Sequence, residues 1–326
     1  MTAVIFARVQ AALTDLDPSQ DDILGDALAG LARVPKRLSS KYFYDARGSQ
    51  LFEEITRQPE YYPTRVEQAL LDARIDVIAA AIGPQAHVVE YGSGSGRKTR
   101  QLLAGLDAPV AYTPIEISRA MLLASTAQLA VEFPQIQMLP VCADFTRSVT
   151  LPVPARAPQR TLVFFPGSTL GNFTHDEAVA LLRAMRATMG AHGQALIGID
   201  LDKDPALIEA AYNDAAGVTA QFTLNLLARL NREIGSDFDL DGFRHHAVYE
   251  RARCRIETFL VSQRAQQVTI ADARFAFAPG EAMLVEYSHK YTDAGFAELA
   301  ASAGLRVVEG WNDPRDWVAL RLLQPA

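Results

Sequence analysis

Cysteine is scarce in this chain. Cys142 and Cys254 are the only two among 326 residues, far apart and without C-x-x-C spacing. That excludes a disulfide framework and argues against a structural zinc site. Long apolar runs are missing as well: no stretch approaches the roughly 18 residues of a membrane span. The opening residues, MTAVIFARVQAALTDLDPSQDD, lack a basic segment followed by an apolar core. No signal peptide is expected, and the expected location is cytoplasmic. Positive charge is in deficit. With 31 Lys and Arg against 38 Asp and Glu, the net charge is −7. A nucleic-acid or membrane-surface binder is disfavoured, and small-molecule partners are favoured. Internal repeats, low-complexity tracts, a G-x-x-x-x-G-K-[ST] phosphate loop and a G-x-S-x-G nucleophile turn are all absent. Metal patterns fail too. DFDLDG, from Asp237 to Gly242, begins like a calcium loop, but position twelve is Val248 where a glutamate is required. His245 and His246 are adjacent in a strand and point to opposite faces. No metal is expected.

What is present is ordinary globular composition, 49% hydrophobic and 21% charged. Thr64 with Glu67 three residues on reads as a capping box opening a helix. A strand–helix alternation follows. AHVVEYGSGSG, VAYTPIEIS, IQMLPVCADF, RTLVFFPGST and QALIGIDLDKD read as strands. RKTRQLLAGL, RAMLLASTAQLAVEF and THDEAVALLRAMRATMG read as helices, the last with a Thr174–Glu177 capping box. Asp204 caps another helix that carries Pro205 at its first position. This is an α/β fold with a doubly wound, mostly parallel sheet. The alternation breaks after about residue 212. GVTAQFTLNLLARLNREI reads as helix, and HAVYERARCRIETFLVSQ, QQVTIADARFAF and GEAMLVEYSHKYT read as antiparallel strands. A helix and a hairpin around NDP close the chain, as in the methyltransferase variant of this sheet. The middle block is therefore an insertion. Residues 1–65 and 203–290 are expected to form a second α+β domain, and 66–202 with 291–326 the methyltransferase domain.

Three strand ends carry matching chemistry. The turn in VEYGSGSGRKTR lets a ligand approach the backbone and face a helix N-terminus. Glu116 ends the second strand, where a ribose needs a carboxylate. Asp144 and Phe145 end the third, where an adenine needs an edge acceptor and an apolar face. FFPGSTLGNF, with Asn172, ends the fourth strand, where such sheets hold a second ligand. Tyr44, Tyr61, Tyr62 and Tyr212 offer rigid hydroxyls on apolar bodies. In the late strand, Leu284, Glu286 and Ser288 share one face by the two-residue period, and Met283, Val285 and Tyr287 share the other.

Taken together, KYFYDARGSQLFEEIT, EYYPTR, EYGSGSGRKTR, PGSTLGNF, AAYNDAAGVTAQF and VEYSHKY resemble the histidine-specific Nα-methyltransferase family of ergothioneine biosynthesis. The resemblance covers nearly the whole chain after about residue 36. It implies S-adenosylmethionine as methyl donor, free L-histidine as acceptor, three successive transfers giving hercynine, and a monomer. It places Gly92, Lys98, Glu116, Asp144 and Phe145 at the donor. It places Tyr44 and Gly167 at the reacting amine, and Asn172 and Tyr212 at the substrate carboxylate with Tyr61 close by. Glu286 and Ser288, with Tyr287 between them, fall at the imidazole. Thr258 departs from the methionine expected to line the ring pocket. A methyltransferase for another amino acid, such as tryptophan or a histidine derivative, is the alternative within this class. A dinucleotide-dependent oxidoreductase and a non-catalytic binding module are the alternatives outside it.

Overall fold

Runs of β-branched and aromatic residues punctuated by glycine build the strands, and they lie where the alternation predicts. The computed structural model describes residues 2–16, 23–94, 96–147 and 149–326. Ser95 of the glycine-rich turn and residues 17–22 of the opening segment lie outside them. In chain order, α1 (Thr2–Ala11), β1 (Thr14–Asp15), α2 (Ile23–Leu31) and α3 (Ala46–Ile55) come first. Then follow α4 (Tyr62–Ile82), β2 (Ala86–Tyr91), α5 (Arg97–Gly105), β3 (Ala111–Glu116) and α6 (Arg119–Glu132). β4 (Gln137–Met138), β5 (Val141–Cys142), β6 (Arg160–Phe165), α7 (His175–Met189) and β7 (Gln194–Asp200) continue the alternation. The insertion holds α8 (Pro205–Tyr212), α9 (Val218–Ile234), β8 (Phe243–Glu250), β9 (Arg255–Ser262), β10 (Gln266–Ile270), β11 (Ala273–Phe277) and β12 (Ala282–His289). α10 (Asp293–Ser302), β13 (Leu305–Asn312) and β14 (Val318–Pro325) end the chain.

The large sheet runs β1-β5-β3-β2-β6-β7-β14-β13. It is parallel through β7, and β14 and β13 join antiparallel. Apolar clusters cover both faces, as a parallel sheet requires. β12, β9 and β8 form a separate antiparallel sheet, and β10 with β11 a hairpin. A third cluster joins α2, the turn at Tyr42–Phe43 and α3 to α9 and this smaller sheet through Phe43, Leu51, Phe222, Leu227, Leu260 and Met283.

Several local expectations hold. The Thr174–Glu177 capping box is present, and Asp204 caps α8 with Pro205 at its start. The NDP turn is tied by Asp313 to the amides of Arg315 and Val318 at 3.0 and 2.8 Å. Others are corrected. α4 begins at Tyr62, with Tyr61 at the cap and Pro63 in its first turn, so Thr64 caps nothing. Proline presets the helical φ two residues earlier, and this frees Glu67 for another task. The third strand is split at Leu139–Pro140, where the proline has no N–H for the ladder. β1 pairs with β5 at the edge of the large sheet, so a boundary at residue 65 does not describe this opening segment.

The strict alternation expected in β12 is also broken. Leu284 pairs with Phe259, yet Glu286 pairs with Thr258, so Val285 is the extra residue of a bulge. Phe259 and Thr258 are neighbours on opposite faces. Leu284 and Glu286 therefore lie on opposite faces, while Glu286 and Ser288 keep a common one.

Candidate active site

The C-terminal ends of β2, β3, β5 and β6 meet the smaller sheet across one cavity of about 1010 Å³. Gly92, Lys98, Glu116, Asp144 and Phe145 line it on the large-sheet side. Tyr44, Tyr61, Asn172, Tyr212 and Glu286, together with Gly167, Tyr287 and Ser288, line the remainder. Sequence reasoning thus gathers residues from distant segments that the fold brings to a single space.

The large-sheet side is mostly backbone. Gly92 has φ +74°, and a Cβ there would press on the Phe145 ring at 3.4 Å. Glycine is needed both for the left-handed turn and for the space above that ring. Phe145 is fixed edge-on against Phe165 and Phe173 and tilted against Tyr91. The Glu116 carboxylate accepts the Ser118 amide at 3.2 Å, and burial raises its pKa. Asp144 accepts the Thr146 amide at 2.9 Å and the Thr146 hydroxyl at 2.6 Å through Oδ1. A cradle of left-handed glycines, one carboxylate at the end of β3 and a fixed aromatic face after β5 fit an adenosyl ligand.

Between the halves sits Glu67, 2% exposed. It accepts the Gly167 amide at 2.9 Å to each oxygen and pairs with the Lys98 ammonium. Gly198 in β7 makes this possible, because a side chain there would collide with Glu67 Oε1. The residue read as half of a capping box instead ties the glycine-rich loop's helix to the turn after β6. Only the placement of β7 beneath α4 reveals this.

The smaller-sheet side is built from side chains. Tyr44 stands edge-on to Phe52 and Phe222, and Tyr61 edge-on to Phe52 and Tyr212. Burial raises the pKa of Tyr44 and of Tyr61. Both remain neutral phenols near pH 7 and are poor bases. Glu286 is pushed up to about 7 by burial, partly offset by the Lys290 ammonium. Asn172 ends the short helical turn Thr169–Asn172 after β6. The Tyr287 ring is held between the guanidiniums of Arg255 at 3.8 Å and Arg37 at 4.8 Å, with Glu257 and His289 as neighbours on that face. It walls the cavity from the strand face opposite Glu286 and Ser288.

A buried polar network lies behind these groups. Tyr62 donates to Asp200 at 2.9 Å, Lys203 pairs with Asp200, and Lys290 reaches Asp200 at 2.8 Å. Lys290 also donates to Tyr212 and Ser288. Sequence reasoning missed Asp200 and Lys290. The signal for Lys290 was available: it continues the period of Glu286 and Ser288. Asp200 ends a parallel strand, as Glu116 does. Thr258, opposite Glu286, is buried with an unpartnered hydroxyl. His245 is a satisfied histidine, bonded to Thr223 at 3.0 Å and the Tyr212 carbonyl at 2.8 Å.

A parallel sheet closed by an antiparallel hairpin, with an adenosyl-shaped cradle at its strand ends, defines an S-adenosylmethionine-dependent methyltransferase. The family described as histidine-specific, SAM-dependent methyltransferases matches residues 23–325. The histidine N-alpha-methyltransferase of Mycolicibacterium smegmatis is 41% identical over 305 residues, spanning 91% of this chain and 93% of its own. The protein of the same name from Mycobacterium tuberculosis is 39% identical, spanning 88% and 90%. Ergothioneine biosynthesis protein 1 of Neurospora crassa is 28% identical over 85% of this chain and 32% of its own length. The chain belongs to the SAM-dependent histidine-specific methyltransferase family.

Proposed function

We propose that the chain methylates the α-amine of L-histidine three times, giving hercynine, as the first step of ergothioneine biosynthesis. The observation that carries this reading is the shared face of Glu286 and Ser288, turned into the same cavity as the glycine cradle. A carboxylate and a hydroxyl two residues apart can each serve one nitrogen of a five-membered ring, and the charge-assisted bond is the stronger. An acceptor without ring nitrogens would leave Glu286 buried and unpaired. Asn172 and Tyr212, with Tyr61 close by, suit the substrate carboxylate. Tyr44 and Gly167 suit the amine. Gly92, Lys98, Glu116, Asp144 and Phe145 suit the donor, with Lys98 acting alongside its Glu67 partner.

The bound donor supplies a sulfonium methyl group. The protein's part is to hold the amine lone pair in line with it. Peptide α-amines titrate near 7.7–8.0 and that of a free amino acid somewhat higher; burial lowers an ammonium, so a strong base is unnecessary. Neutral Tyr44 orients the amine, with Tyr61 close by on the carboxylate side, and water near Tyr44 carries the proton outward. The ring faces of both tyrosines, with Phe52, tolerate the quaternary ammonium that the last transfer makes. In this reading the insertion and residues 23–61 form the acceptor domain. The protein works as a cytoplasmic monomer on small molecules, without nucleic acid or membrane; among the described residues no helix is long and apolar enough to cross one.

A second reading, Nα-methylation of tryptophan or a histidine derivative, draws support from Thr258, whose small polar side chain stands beside Glu286. Mass spectrometry of the protein with S-adenosylmethionine and all twenty amino acids separates the two. A gain of three methyl groups on histidine alone is expected. Methylation of another amino acid would overturn the ring assignment.

A further inference from the structure

One buried ammonium controls both hydroxyls that face the ligand space. Lys290 is 3% exposed. Its Nζ lies 2.8 Å from Asp200 Oδ2, 2.9 Å from Tyr212 OH and 2.9 Å from Ser288 Oγ. An ammonium has three hydrogens, and all three are engaged. Burial by itself would favour the neutral amine, but Asp200 and Tyr212 more than offset it, and the pKa is raised. Asp200 keeps its charge as well: despite burial, Lys290 and Lys203 lower its pKa. Lys290 is a donor in every direction.

Tyr212 OH and Ser288 Oγ also bond to each other at 2.6 Å. A hydroxyl has one hydrogen and two acceptor sites. Lys290 donates to both groups, so neither spends its hydrogen on Lys290, and one must donate to the other. A single hydroxyl hydrogen is left for a ligand. With that hydrogen on Ser288, Tyr212 can only accept and cannot hold a carboxylate. With it on Tyr212, Ser288 can only accept. A carboxylate needs donors, so histidine selects the second arrangement, and its ring must turn an N–H toward Ser288.

We propose that Lys290 is a positioning residue that leaves this hydroxyl pair a single free hydrogen, which the substrate carboxylate claims from Tyr212, so that histidine binds with one ring N–H facing Ser288 and a further proton shared between the other ring nitrogen and Glu286. This rests on the reading above in which Tyr212 holds the substrate carboxylate. Near pH 8 free histidine has a neutral ring, and Glu286, at about 7, is mostly ionised. The bound arrangement therefore contains one more proton than its separated parts. Around Glu286 stand Tyr44 and Tyr61 from the N-terminal segment, Tyr212 from α8 and Lys290 from the end of its own strand. Asp200, Lys203 and Tyr62 lie behind Lys290. Burial keeps the tyrosines protonated, and Asp200 with its lysines stays charged. Glu286 and the ring are left to take up the proton.

The test is calorimetric titration of L-histidine, with S-adenosylhomocysteine present, at pH 8 in two buffers of different ionisation enthalpy. Wild type is compared with Lys290→Met and Ser288→Ala. Asp200 retains Lys203 and the bifurcated bond from the Tyr62 hydroxyl in the first variant, and the second leaves every charge in place. Any proton released by the α-amine is common to all three proteins. The expected result is that proton uptake per histidine falls by about one in both variants, with histidine Kd rising about tenfold, a hydrogen bond's worth. S-adenosylhomocysteine affinity stays unchanged. Equal uptake in all three proteins would overturn the proposal. Loss in Lys290→Met alone would overturn it too, since charge rather than hydroxyl direction would then be responsible. No binding of histidine to wild type would instead defeat the substrate reading.

Discussion

In the proposed function, the two halves of the cavity solve recognition in different ways. On the large-sheet side, contiguous strand–turn–helix units present backbone curvature, carboxylates at strand ends and one aromatic face. On the smaller-sheet side, tyrosines from α3's flanks, α4 and α8 meet Glu286, Ser288 and Lys290 from β12 and the residue after it. The first half buries separate carboxylates, Glu116 and Glu90, the latter accepting from the Thr99 and Tyr112 hydroxyls. The second assembles Asp200, Lys203, Lys290 and Glu286 in a small volume, where each charge needs a partner. A ligand common to many enzymes can be held by reusable backbone. A particular amino acid needs side chains placed by the whole fold.

Substitutions can break this division or sharpen it. The largest effect is expected from Glu286→Ala: histidine affinity should fall about 10³- to 10⁴-fold by calorimetry, with donor affinity unchanged. Unaltered histidine binding would remove the ring clamp from this half. Lys98→Met probes the seam. It leaves the Glu67 carboxylate buried with only the Gly167 amide, and urea unfolding should show a loss of about 3–5 kcal/mol. Both ligands should bind more weakly, whereas an effect on the donor alone would place Lys98 wholly in the first half. Gly92→Ala should cost about 1–2 kcal/mol of donor affinity through its left-handed backbone and the Phe145 contact. Equilibrium dialysis should show histidine binding intact in that variant.

The last effect is on stability against pH. Burial raises Glu286 from 4.5 to about 7. Between those values the folded protein binds more protons than the unfolded chain, so stability falls as pH rises through that window. Glu286→Gln removes this component. Its Tm, measured without ligand, should match wild type near pH 4.5 and exceed it at pH 7.5. A variant that is more stable yet binds histidine poorly would show that the acceptor half gives up stability for recognition; parallel Tm curves would show that it does not.

Legibility in the sequence follows the same division. The parallel sheet, the glycine cradle, Glu116 and Phe145 are readable because hydrophobic period and turn chemistry act over a few residues. The acceptor residues were reached mainly through the family resemblance, since nothing local joins Tyr44 to Glu286. Where a short pattern had two physical uses, sequence alone chose wrongly. Glu67 fits a capping box three residues after Thr64, but Pro63 starts the helix earlier and Gly198 opens a space that only β7 can supply. In β12 a period of two put Leu284 beside Glu286, and one bulged residue separates them.

By itself, then, the chain's sequence determines the order and kind of its elements, because propensity, capping and period are local. Tertiary structure decides which hydroxyl meets which ammonium. Lys290, Tyr212 and Asp200 are distant in the chain, and their hydrogens are apportioned only once burial has taken water away as an alternative partner.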